Sequence, residues 1–139
     1  MLGPTASGKS EVALRLAETL GAEIISVDSM QVYRRMDIGT AKPSLAERAR
    51  VVHHGLDLVD PADEYSVSDF QQMGRRIIES SEVPLVIAGG SGLHFRALVD
   101  PMRFRPRDPG VRARVERLTL SEAVARLLVD DPEAEAHVD

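Results

Sequence analysis

Eight residues near the start of the chain, Gly3-Pro4-Thr5-Ala6-Ser7-Gly8-Lys9-Ser10, restrict what it can become more than any other stretch. Glycine, four residues, then Gly-Lys-Ser is the spacing of a loop whose backbone N–H groups point into one concavity, with a helix opening behind it. That helix adds its unpaired first-turn donors and the positive end of its dipole. A diphosphate fits such a cradle. Lys9 neutralises the outer phosphate oxygens, the Ser10 hydroxyl helps to hold Mg²⁺, and Gly8 has no Cβ to block close approach. The required helix is legible: Val12, Ala13, Leu16, Ala17 and Leu20 recur on one face, Glu11, Arg15 and Glu18 on the other, and Gly21 ends it.

Bulk properties narrow the class. A length of 139 residues suits one domain with a real core. The absence of cysteine excludes a disulfide framework, a thiolate zinc site and a cysteine nucleophile. No apolar run approaches the roughly twenty residues of a membrane span, so the expectation is a cytoplasmic protein without membrane attachment, acting as a monomer. The net charge is −5, yet residues 96–117 carry seven arginines against three acids, whereas 118–139 carry one arginine against six. The first of these segments is either a basic strip for phosphate contacts or a solvated helix face.

After Gly21 the β-branched run Glu23 to Val27 reads as a buried parallel strand. Asp28 closes it, at the carboxyl end where open α/β sheets bind their ligands. Three roles remain open for this carboxylate: Mg²⁺ ligand, general base, or cap of the following turn. Ser29 to Pro43 has no clean periodicity and reads as a functional loop. Ser44 and Glu47 form a capping box for a short helix. His53 and His54, suited to hydrogen bonding and not to metal binding, precede an expected strand over Leu56 to Val59. Ser66 and Asp69 open a helix with Val67, Phe70, Met73, Gly74, Ile77 and Ile78 on one face. Val83 to Ala88 is a second buried strand, turned by Gly89-Gly90-Ser91-Gly92 towards another helix. Asp108-Pro109 starts a helix with Val111, Val115 and Leu118 inward, Thr119 and Glu122 start the next, and Asp131-Pro132 a third.

Strands alternating with helices around a phosphate loop give an α/β chain, a P-loop NTPase-like three-layer fold with a mostly parallel sheet. Two residues before Gly3 are fewer than the five or six of a usual strand (about that number), and the chain stops soon after Pro132. The expectation is one P-loop domain over 1–139, truncated at both ends, with a helical part over 110–139 that begins an insertion region.

Four blocks, in order, resemble the tRNA dimethylallyltransferases, also called tRNA isopentenyltransferases. They are Gly3 to Ser10; Val27-Asp28-Ser29-Met30-Gln31-Val32-Tyr33 running on to Met36-Asp37-Ile38-Gly39-Thr40-Ala41-Lys42-Pro43; His53-His54-Gly55-Leu56-Asp57 with Asp60-Pro61; and Gly89-Gly90-Ser91-Gly92-Leu93 followed by Asp108-Pro109 and Val111-Arg112-Ala113-Arg114. The stretch from Asp37 to Pro43 discriminates best, since phosphate-loop kinases in general lack it. The resemblance implies transfer of a dimethylallyl group from dimethylallyl diphosphate to the exocyclic amine of the adenosine 3′-adjacent to a tRNA anticodon, with diphosphate leaving. By the same likeness Gly3, Pro4, Thr5, Ala6, Ser7, Gly8, Lys9 and Ser10 bind the diphosphate, with Mg²⁺ held through Ser10. Asp28 is the general base, Thr5 and Lys9 are catalytic beside it, and Asp28, Ser29, Met30, Gln31, Ser91 and Arg112 contact the tRNA anticodon loop. Position 94 departs from the pattern, with His where the family has Tyr. The competing readings are an ATP-dependent small-molecule kinase on the same loop and an inactive fragment.

Overall fold

The computed structural model describes residues 1–3, 7–105 and 108–137. They divide into two compact units, Met1–Arg103 and Phe104–Asp139.

The first unit is built on three parallel strands. Helix α1 (Lys9–Leu20) leads into β1 (Glu23–Val27); α2 (Leu45–Arg50) precedes β2 (His53–His54); α3 (Val67–Ser80) leads into β3 (Leu85–Gly89), and α4 (Gly92–Val99) follows. The order is β2-β1-β3, with Ile24 opposite both His53 and Val86. Met1 and Leu2 extend the sheet beyond β3: Leu2 bridges Gly89 in parallel, Met1 N donates to the Ile87 carbonyl at 2.6 Å, and Gly89 N donates to that of Met1 at 3.2 Å. The phosphate loop therefore leaves from a sheet position beside β3.

Period-two alternation distributes the core between the two faces of this sheet. Ile24, Val86 and Ala88 pack with Ala13, Leu14 and Ala17 of α1. Ile25 and Val27 pack on the opposite side with Phe70 of α3 and Leu98 of α4. These are three layers, helix on sheet on helices, as the alternation of strands and helices requires. Buried on both faces, β1 has no polar side; its Ser26, 7% exposed, spends its hydroxyl on Gln31.

Capping boxes form at Ser44–Glu47 and Ser66–Asp69, and Gly21 closes α1 with φ 60°. The expected strand at Leu56 to Val59 is corrected: β2 is His53–His54, and Val59 makes only an isolated bridge to Tyr33. The left-handed backbone of Gly55 (φ 83°) and Asp57 (φ 53°) interrupts any extended run there.

Gly89 marks a closer approach of backbones. An added Cβ would collide with the Val27 carbonyl, a group that cannot move without tearing the β1–β3 ladder. Gly74 is tight for a different reason, since a Cβ there meets the end of the Leu98 side chain, which can rotate. Gly89→Ala is expected to cost about 1 to 3 kcal/mol and Gly74→Ala less, read as urea-denaturation midpoints.

The second unit holds α5 (Pro109–Val115), α6 (Leu120–Asp130) and a 3-10 turn over Pro132–His137. Asp108 caps α5 through the amides of Gly110 (2.8 Å) and Val111 (3.0 Å), and Thr119–Glu122 closes a capping box on α6. The helices form where the caps place them, but their apolar faces are only partly buried. Val111 and Val115 are 42% and 48% exposed where inward packing was expected, and no residue of α5 or α6 is buried.

Candidate functional site

The end of the sheet at which the phosphate loop enters α1 carries a cleft of about 160 Å³. Its floor is Ala13, Leu14, Ile24 and Ala88; Lys9 and Ser10 stand on one wall, Asp28, Gln31 and the stretch Thr40 to Pro43 on another, and Gly89 and Gly90 close it. Gly8 precedes α1 with φ 78° and offers no side chain to cap it, the arrangement in which a helix N-terminus suits an anion. Gly3 and Ser7 also lie in the described loop, where a Cβ on Gly3 would touch Ser7 Oγ at 3.4 Å. Pro4, Thr5 and Ala6 lie outside the described residues.

Asp28 reaches this cleft because β1 ends one residue before it. Its Oδ1 accepts the amides of Met30 (2.8 Å) and Gln31 (3.2 Å), which folds the chain sharply after the strand. Turn-capping, one of the three roles open from sequence, thus occupies one carboxylate oxygen and leaves the second for chemistry. Gln31 is 8% exposed: its Oε1 accepts from Ser26 Oγ at 2.7 Å while Nε2 donates to the carbonyls of Thr40 (3.0 Å) and Ala41 (3.2 Å). Both ends of the loop are thereby pinned to β1. Ser29 and Met30 stay exposed just beyond Asp28.

The far end of the loop hangs on a buried cation. The Lys42 side chain is fully buried, and its Nζ donates to the Tyr33 carbonyl (2.7 Å) and to the carboxylates of Asp57 (2.8 Å) and Asp37 (3.0 Å). Arg48 reaches the other oxygen of Asp57. Burial by itself pushes the Asp57 carboxyl up, but the hydrogen bonds and charges of Lys42 and Arg48 outweigh it and hold the group below the ordinary carboxylate range. This network supports strained backbone, since Arg35 (φ 63°), Ala41 (φ 49°) and Asp57 (φ 53°) all sit in the left-handed region.

Ser91 caps α4, and its amide donates to the Val27 carbonyl at 3.0 Å. His94, 7% exposed, places Nδ1 2.6 Å from Ser91 Oγ. Burial lowers the His94 pKa and the charge of Asp28 opposes the shift. The unfolded chain takes up this proton near pH 6.5, about the ordinary histidine value, before the folded chain does. Stability therefore declines as pH falls below that value and levels off once the folded imidazole protonates. We expect the urea midpoint to drop between about pH 7 and pH 5, with this component absent in His94→Phe.

Lys42 and His53 are cleft residues that sequence reasoning did not select. Pairing of His53 with Ile24 brings it to the cleft, and its Nδ1 donates to the Val51 carbonyl at 2.7 Å. The signal was its place opposite a core strand residue, hidden while the strand was expected three residues later. Arg112 stands on α5 in the second unit, its Nε 2.7 Å from Glu116. Among the described residues no three His, Asp or Glu side chains converge on a metal position. The hard oxygen of Ser10 in the same cleft suits Mg²⁺ that takes its remaining ligands from phosphate oxygens and water.

A family model described as IPP transferase matches residues 31–139, and one described as isopentenyl transferase matches residues 1–57. The chain belongs to the IPP transferase family. Members of this family resemble it throughout. The tRNA dimethylallyltransferase of Moorella thermoacetica is 47% identical over 96% of this chain and 46% of its own length. That of Bifidobacterium longum is 42% identical over 100% and 46%. The crystal structure of a full-length tRNA isopentenylpyrophosphate transferase from Bacillus halodurans superposes with a TM-score of 0.69 at 36% identity, covering 99% of this chain and 48% of that one. A eukaryotic dimethylallyltransferase acting on tRNA gives a TM-score of 0.80 at 27% identity, over 99% and 36%. The P-loop NTPase-like fold expected from the sequence is the fold of this family. The chain spans about half the length of the curated relatives it matches.

Proposed function

We propose that this chain forms the donor-binding part of a tRNA dimethylallyltransferase, which moves a dimethylallyl group from dimethylallyl diphosphate to the exocyclic amine of the adenosine 3′-adjacent to the anticodon. The observation that carries this reading is the placement of Asp28, at the carboxyl end of β1, in one cleft with Lys9 and Ser10. The amine nitrogen forms a bond to the first prenyl carbon, the bond from that carbon to the diphosphate oxygen breaks, and the proton lost by nitrogen passes to Asp28. Negative charge grows on the departing diphosphate, where the loop amides and Lys9 stabilise it. Bound through Ser10 and phosphate oxygens, Mg²⁺ would supply further positive charge to the same group. Thr5 belongs to this diphosphate site by its position in the loop motif.

The acceptor side follows from the loop after Asp28. Ser29 and Met30 are exposed where a nucleoside entering the cleft meets the protein. Stacked within an anticodon loop, an adenosine amine is out of reach of a carboxylate in a cleft, so the nucleotide is flipped out of the stack. Gln31 holds the loop in place for it, Ser91 follows the cleft residues Gly89 and Gly90 in the chain, and Arg112 with the neighbouring arginines contacts RNA phosphates. The proposed tRNA-modifying role is that of a cytoplasmic protein.

Calorimetric titration of the full-length protein with Mg²⁺ checks the ligand class. Dimethylallyl diphosphate is expected to bind in preference to ATP, and Lys9→Ala to weaken it by about 10- to 100-fold, the worth of a charged hydrogen bond. Tighter binding of ATP, accompanied by phosphoryl transfer, would replace this reading with a kinase.

A further inference from the structure

The ring of His94 stands edge-on to Phe70 of α3, centroids 4.8 Å apart and planes at 78°. The ring is 7% exposed, and its Nδ1 stands 2.6 Å from the Ser91 hydroxyl oxygen. We propose that His94 is a positioning residue that acts through Ser91: the neutral imidazole takes the Ser91 hydroxyl hydrogen on Nδ1 and so fixes the serine oxygen as an acceptor for a donor group of the bound nucleotide. The inference rests on the tRNA reading of the cleft and adds a residue to it.

A serine hydroxyl has one hydrogen to give and two lone pairs. Directed at Nδ1, that hydrogen is spent inside the fold. One lone pair is drawn weakly by the His94 amide at 3.5 Å, which caps α4. What remains is a single acceptor position on a serine whose own amide is tied to Val27, the residue before Asp28. Protonation of the ring would reverse the arrangement, because both nitrogens of an imidazolium donate. The serine hydrogen would then turn outward, and a positive charge would stand near the carboxylate proposed as base. Asp28, the residue after β1, is the charge that acts on the ring. From α3, Phe70 packs its apolar ring against His94, while Gln71 and Arg75 spend their donors on the carbonyls of Ala97, Asp100 and Met102. Burial outweighs Asp28 and favours the neutral ring.

The test is a double-mutant cycle on tRNA binding and turnover in the full-length protein, with Ser91→Ala, His94→Phe, the double variant and His94→Asn. Asparagine can place its side-chain oxygen where Nδ1 stands. Each single loss is expected to weaken tRNA binding by about fivefold, the worth of one hydrogen bond. The double variant should be no weaker than either single one. His94→Asn should bind within about twofold of the wild type. It should also lack the weakening that the wild type shows as pH is lowered. Multiplying losses, or His94→Asn behaving as His94→Phe, would overturn the proposal. A second measurement does not depend on any variant folding. Long-range ¹⁵N–¹H correlation spectra of the wild type at neutral pH should show His94 protonated on Nε2 and bare on Nδ1, and hydrogen on Nδ1 would overturn it. Absence of tRNA binding by the wild type would instead sink the functional reading, with the spectra still deciding the Ser91–His94 arrangement.

Discussion

In full-length protein, Asp28→Asn is expected to lower prenyl-transfer turnover by about 10² to 10⁴ while leaving the affinity for dimethylallyl diphosphate unchanged. The structure makes this substitution unusually clean. One oxygen of Asp28 is an acceptor for the Met30 and Gln31 amides, and the carbonyl oxygen of an asparagine can take both bonds. The turn, and with it the loop fastened by Gln31, survives. What disappears is the ability of the second oxygen to take a proton. Asp28→Ala should behave differently, because it removes base and turn together and should lower stability as well as turnover. A parallel fall in diphosphate affinity and turnover in Asp28→Asn, measured by calorimetry and steady-state kinetics, would move Asp28 from the base to the metal site.

The largest effect on stability is expected at Lys42. Its buried ammonium is the common partner of the Tyr33 carbonyl, Asp57 and Asp37, and methionine fills the same space without the charge. Removing one member of a buried ion pair typically costs about 3 to 5 kcal/mol, since the other member is left uncompensated. Asp57 retains Arg48, and Asp37 is 63% exposed and can be rehydrated, so about 3 kcal/mol is the expected loss for Lys42→Met. That is a large share of the roughly 5 to 15 kcal/mol that holds a domain together. The same variant should lose turnover, because Thr40 and Ala41 next to Lys42 are the acceptors of Gln31. Arg48→Met, which leaves Asp57 its Lys42 bond, should cost less than Lys42→Met when both are unfolded in urea. An Arg48 variant less stable than the Lys42 variant would show that the loop does not hang on Lys42.

What could be read in advance followed how local the determinants are. The caps at Ser44, Ser66, Asp108 and Thr119 act within three residues of themselves, and each forms as expected. The strand Glu23–Val27 was legible because a sheet buried on both faces leaves a continuous apolar run. His53–His54 was missed as a strand because its pairing is decided by β1, more than two dozen residues earlier, and not by its own composition. Leu56 to Val59 looked better by type, yet two left-handed residues prevent it from extending. Within the site, Asp28 was placed by its position at a strand end, whereas Lys42 stood out only as a member of the Asp37 to Pro43 stretch and not as a buried cation. A lysine reads as surface, and only folding brings Asp57, fifteen residues away, to its ammonium. On α5 the apolar period was legible, but the period states which residues share a face and not whether anything covers it.

The central claim is that a carboxylate and a phosphate cradle in one cleft serve prenyl transfer to RNA. The most direct test incubates the full-length protein with Mg²⁺, dimethylallyl diphosphate and tRNA, digests the tRNA to nucleosides and weighs them by mass spectrometry. An adenosine heavier by one dimethylallyl group, at the position 3′ of the anticodon, is expected from the wild type and should be all but lost in Asp28→Asn. Unmodified adenosine from a wild-type protein that binds both substrates would contradict it.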